Sequence, residues 1–170
     1  MQGNPGADGA QGIQGIQGIQ GPPGAGGATL LRKAADQLLI GTAYADVTGL
    51  GFSLAALTAY AFNYEIWADA DATTTGIDVA VNGPSLPTYI RYEQVYWTSA
   101  TVRTERAAIA YDSNTASTAS NGTAPKPFRV CGSILTGAAS GTLIPRIKRE
   151  AVGTGPNVRA GSYGVLYTLP

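Results

Sequence analysis

The 170-residue chain has no histidine, one cysteine and one methionine. Without histidine, the commonest metal ligand and general base near neutral pH is missing. A single cysteine, Cys131, cannot build an internal disulfide framework. Charge is scarce as well. Charged residues make up 13% of the chain, about half the usual share, and the 11 basic and 11 acidic side chains cancel. A zero net charge argues against nucleic acid or an anionic membrane as partner, since both reward a basic surplus. Long apolar runs are absent. The longest apolar-leaning stretch, GLGFSLAALTAYAF, is too short and too polar to span a bilayer, so no membrane insertion is expected. The N-terminus lacks the basic start and apolar core of a secretory signal, and no export signal is expected.

No paired acid and base, phosphate-binding loop or nucleophilic triad is found. The protein is therefore expected not to be an enzyme and to need no cofactor. Asp69, Asp71 and Asp78 match no calcium-loop spacing, and the reading is a solvated acidic loop with no metal. Cys131 lies in a strand-like segment between Val130 and Ile134. It is expected to be a small buried hydrophobe, not a nucleophile.

What the chain does have is glycine in register. Gly3, Gly6, Gly9, Gly12, Gly15, Gly18, Gly21, Gly24 and Gly27 follow one another without a miss. At this chain's frequency of 23 glycines in 170, chance would give that run with a probability on the order of 10^-8. A flexible glycine-rich linker has no need of strict register. A collagen triple helix does, because every third residue faces an axis with no room for a Cβ. Pro5 and Pro23 occupy third triplet positions and Pro22 a second one, as that helix favours. Residues 1–27 are therefore read as a collagen-like stalk of three strands, about 75–80 Å long at roughly 3.1 Å per residue. Ile13, Ile16 and Ile19 repeat on its outside and are candidate shell-docking residues. So short a rod needs something downstream to hold three chains together.

Residues 28–170 form the second domain. TLLRKAADQLL could be a short helix or a first strand; strand is favoured because everything after it reads β. The segments at 59–67, 76–84, 88–98, 102–111, 127–136, 142–150 and 162–169 carry period-two alternation or short apolar runs between turn clusters. Eight to ten short strands at this spacing imply a sandwich or jelly roll. Tyr60, Phe62, Tyr64, Tyr92 and Tyr96 are candidate core or trimer-axis residues. Asp69, Asp71, Ser113, Asn114 and Asn121 mark two candidate head-tip loops. In IPRIKRE, Arg146, Lys148 and Glu150 share one face with Arg149 opposite, read as an exposed strand guarded by charges.

FSLAALTAYAFNYEI (52–66), VAVNGP (79–84) and AGSYGVLYTLP (160–170), behind a collagen repeat, resemble the complement-q and tumour-necrosis-factor superfamily of trimeric jelly rolls. DVTGLGF, ATTTGIDVAVNGP, YDSNTAS and VRAGSYGVL are similar to stretches in small structural proteins of tailed bacteriophages. The resemblance implies an all-β fold: a homotrimeric jelly-roll head preceded by an N-terminal collagen-like triple helix. It implies a structural and adhesive role at the virion surface, with synthesis in the host cytoplasm. The first expectation is a capsid decoration or head fibre, the second a tail-fibre or baseplate receptor-binding tip. A third is a bacterial surface or spore-coat filament. Expected partners are other copies of the chain, phage capsid or tail proteins, and a host cell-surface glycan or protein. Only Met1 and Gln2 precede the repeat, so either the chain is a fragment or the stalk itself docks.

The stalk reading has a direct check. Gly15→Asp would place three carboxylates at an axis that accepts only hydrogen atoms. The collagen circular-dichroism signal should fall while the melting of the β domain stays where it was.

Overall fold

The computed structural model describes residues 1–3, 27–70, 72, 75–99, 101–113, 123–151 and 157–170. Gly6 to Gly24, Ile13, Ile16, Ile19, Asp71, Asn114 and Asn121 lie outside them. The described residues form an all-β structure of twelve strands with no helix. In chain order these are β1 (Ala28–Arg32), β2 (Gln37–Leu38), β3 (Ala45–Asp46), β4 (Phe52–Leu54), β5 (Ala59–Asp69) and β6 (Ile77–Asn82). They continue as β7 (Tyr89–Trp97), β8 (Arg103–Ala108), β9 (Lys126–Leu135), β10 (Gly141–Arg149), β11 (Asn157–Val158) and β12 (Tyr163–Thr168). The segment read as helix or strand is strand: β1 and β2.

Two antiparallel layers face each other. The larger runs β1-β12-β5-β9-β7-β8, with β2 and β11 carrying the lines of β1 and β12 onward. The smaller has β10 at its centre, β6 along one side and β3 and β4 along the other. β3 and β4 act as one strand broken by residues 47–51, since Asp46 opposes Arg146 and Phe52 opposes Leu143. Val47 and Leu50 in that break turn into the core.

Period-two alternation decides what meets between the layers. One row across the larger sheet reads Leu31, Gly164, Tyr64, Val130, Gln94 and faces inward. The next reads Leu30, Val165, Asn63, Cys131, Glu93 and faces out. Inside, the Phe52 and Tyr64 rings lie 5.6 Å apart, and Phe62 packs against both Tyr64 and Tyr92. The Tyr64 hydroxyl donates to the Leu143 carbonyl at 2.9 Å, tying β5 to β10 across the core. Burial pushes that phenol well above its ordinary pKa, so it stays a donor. Gly164 makes room for the ring: a Cβ there would lie 2.7 Å from it.

Three expectations change here. Tyr60, Phe62, Tyr64, Tyr92 and Tyr96 keep 6% or less of their surface. They fill the core of one chain and have no area left for a trimer axis. Cys131 falls in the outward row and is half-buried, because Val130 and Ile134 share a parity that Cys131 does not. β10 is no exposed strand, since it is paired along both sides and Arg149 is only 3% exposed. Its guanidinium reaches Thr75 Oγ1 at 3.4 Å.

The inter-sheet contact can be tested by urea unfolding. Tyr64→Phe keeps the ring but strands a buried carbonyl, and should cost about 1–2 kcal/mol. Gly164→Ala overpacks the same spot and should cost about 1–3 kcal/mol. Their combination should depart from additivity, since both act on one ring.

Candidate functional site

The strand directions give the sandwich two distinct poles. At one, β1 begins, β12 ends, and the turns 55–58, 83–88 and 136–140 join strands. At the other, the connections from β5 to β6, from β7 to β8 and from β10 to β11 join strand ends.

The first pole is apolar at its tips. Leu57 and Leu86 are 76% and 89% exposed, and Ile109 is 79% exposed. Leu57 and Leu86 sit at φ 52° and 50°, in the left-handed region that leucine rarely enters. Such a conformation costs on the order of 1–3 kcal/mol and persists only where neighbours impose it. Here Leu57 N–H donates to the Gly137 carbonyl at 2.9 Å. The Leu86 carbonyl occupies the space a Cβ at Gly137 would need, 2.2 Å from it. Thr136, fully buried, donates to the Ala55 carbonyl and accepts from Thr58 N–H. The turns at this pole are therefore locked to one another.

Two polar clusters brace the flanks. In the first, Arg159 grips Asp69 through Nε and Nη2 at 2.5 and 2.8 Å and Asp36 through Nη1 at 2.7 Å. Ala160 N–H donates to Asp36 as well. That amide, then Arg159, holds the Asp36 carboxyl below the usual carboxylate range. Beside it Lys33 donates to Gln37 Oε1 and the Thr48 carbonyl. The cluster joins the breaks in β1/β2, β3/β4 and β11/β12. Asp69 is thus no solvated tip: it ends β5, is 4% exposed and is paired.

In the second cluster, Arg146 reaches Asp46 at 2.9 Å, Asp112 at 2.6 Å and the Tyr44 carbonyl at 2.8 Å. Tyr44 hydroxyl donates to Asp78 at 2.7 Å, with Lys148 3.6 Å from the same carboxylate. Burial and the Asp78 carboxylate push the Tyr44 phenol far above its ordinary pKa. Asp112 N–H donates to the Val81 carbonyl, and Gln94 Nε2 to the carbonyls of Val79 and Ser113. Residues 110–113 thereby cap the free side of β6. Ser113, expected at a free loop tip, is pinned to the flank. The charges that looked like gatekeepers are internal struts.

No group of three His, Cys, Asp or Glu side chains able to hold a metal occurs among the described residues. Asp69 and Asp78 stand in different clusters, each with a basic partner. No helix among the described residues is long and apolar enough to cross a membrane. Cys131 lies between Asn63 and Glu93 on the outer sheet face, and burial raises its thiol pKa.

No family model matches the chain, and no curated protein does. Among solved structures it is similar to the VP2 subviral particle protein of infectious bursal disease virus, at 11% identity and a TM-score of 0.29. The match covers 85% of this chain and 42% of that one. The Gt strain of the same virus gives 12% identity and a TM-score of 0.27 over the same shares. The chain spans about 42% of the length of these structures. Likeness at this level does not extend to function.

Sequence reasoning missed the two clusters, because their members lie far apart along the chain. It also missed the apolar tips, whose single leucines carry no periodicity. The first cluster makes a testable claim. Arg159→Ala leaves Asp69 buried without its partner, a loss of about 3–5 kcal/mol for a fully buried pair. With Arg159 about a third exposed, a loss of about 2–3 kcal/mol is expected in denaturant unfolding at pH 7. Asp36, the other Arg159 partner, has its carboxyl pKa lowered, so it stabilises above its unfolded pKa and ceases to as pH falls through its folded one. The wild type should therefore lose stability below about pH 4, and the variant should lose less in that window.

Proposed function

We propose that this chain is a non-enzymatic structural protein of a tailed-phage virion. Three copies join through the collagen-like stalk of residues 1–27 and display β-sandwich heads of jelly-roll type, formed by residues 28–170, as a capsid decoration or head fibre. One observation carries the reading. The glycine register runs unbroken to Gly27, and β1 begins at the next residue. Stalk and head share one continuous chain with no spacer, so a three-stranded rod delivers three heads side by side.

The remaining features support display over chemistry. Chain crossings between the layers, as in β5 to β6 and β9 to β10, are those of Greek-key and jelly-roll sandwiches. The charged side chains of the two flank clusters are engaged in struts. On this reading the stalk leaves from the pole with locked apolar turns, and that pole faces the particle. Ile13, Ile16 and Ile19 then meet the shell, where burial offsets the exposure of apolar side chains on a rod in water.

Light scattering of the purified protein should give about 52 kDa, three times the 17.4 kDa of one chain. Labelled protein should decorate heads in micrographs of particles. Replacing Ile13, Ile16 and Ile19 by Gln should keep the mass and weaken attachment to purified particles. Particles lacking the protein should still infect. Loss of adsorption from otherwise complete particles would replace this reading with a tail-tip receptor binder. A monomeric mass would remove the trimer altogether.

A further inference from the structure

The two ends of the larger sheet are built differently. β8, at one edge, reads RTERAA and carries Arg103, Glu105 and Arg106. Charges of this kind blunt an open strand edge against pairing with other chains. β1, at the opposite edge, reads ATLLR with Arg32 its only charge, at its far end. It pairs with β12 along one side, and its other side is open among the described residues. Leu30 is 66% exposed on its outer face. Beside it on β12 stand Val165, directly opposite, and Tyr167, 46% exposed. Leu169, 37% exposed, follows, its amide held by the Ala59 carbonyl. An apolar edge strand charged only at its far end, with an apolar neighbour, is an aggregation hazard unless something covers it.

The chain itself says what covers it. Gly27 precedes β1 directly, and a triple helix holds three glycine-bearing strands around one axis. Three copies of β1 must then start beside that axis, each showing its neighbours the surface nearest its first residue. We infer that the β1 edge and the adjoining outer face of β12, through Leu30, Val165, Tyr167 and Leu169, form the contact between the three heads. This rests on the trimer reading above. The occupant is a second copy of the same chain, and the charged β8 edge is left facing solvent. The apolar turns at Leu57 and Leu86 lie across the sheet from β1, at β5, β9 and β7, and stay outside the contact.

The test uses the full-length protein. Leu30→Asp with Tyr167→Asp puts six carboxylates around the axis, on side chains that face away from the core. The mass should fall from about 52 kDa to that of one chain, 17.4 kDa, with far-ultraviolet dichroism and cooperative melting retained. Leu57→Asp with Leu86→Asp, at the same pole, should leave the mass unchanged. A Leu30/Tyr167 variant that stays trimeric overturns the assigned surface while leaving the trimer intact. A wild type that is already monomeric overturns the trimer and the surface with it. Hydroxyl-radical footprinting of the wild type needs no variant to fold. Leu30 and Leu86 are the same residue type, 66% and 89% exposed in one chain, so a monomer labels Leu30 only slightly less than Leu86. Labelling of Leu30 several-fold below that of Leu86 supports the contact, and labelling in proportion to their exposure in one chain overturns it.

Discussion

The two layers are held in register by Tyr64. Its ring fills the space left by Gly164, leans on Phe52 and Phe62, and sends its hydroxyl to the Leu143 carbonyl on the facing sheet. A buried carbonyl without that partner would carry its desolvation cost unrelieved, so the contact specifies how β5 lies over β10 as well as stabilising it. Gln94 does the same from β7, reaching the Val79 carbonyl on β6. With these two cross-ties set, each inward row of the larger sheet meets a defined row of the smaller.

Three of the sandwich's long strands are interrupted: β1/β2, β3/β4 and β11/β12. Each break exposes backbone groups that must find partners. The breaks fall together, and Lys33, Gln37, Asp36 and Arg159 supply those partners from one cluster. On the other flank Arg146 and Asp112 hold the capping segment against β6. Nine charged side chains of a charge-poor protein thus go into bracing. Both clusters tie segments that lie far apart along the chain.

Polarity follows from the same strand order. β1 begins at the pole where the turns are short, apolar and mutually locked. The β1 edge of the larger sheet carries one charge, Arg32 at its far end, and the β8 edge carries three. An assembly that buried the first and exposed the second would resolve the hazard of an open β1 without any further device.

The amino-acid sequence by itself determined the parts that depend on local period. Alternation in β5 and β7 grouped residues that share a face, since successive side chains in a strand point to opposite faces. Tyr60, Phe62, Tyr64 and Ile66 are all buried on that account. The triplet glycines likewise need only counting. β3, β4 and β11 were illegible, because two or three residues cannot display a period. Period also says which residues share a face, but not what covers that face. Arg146, Lys148 and Arg149 looked like guards on an exposed strand until β3, β4 and β6 closed around β10. Asp69 looked like a loop acid until Arg159, ninety positions later, came to lie beside it. Cys131 took the outward row because Val130 and Ile134 had taken the inward one. Only the tertiary structure decided these, for burial and pairing are set by residues that the chain brings together from a distance.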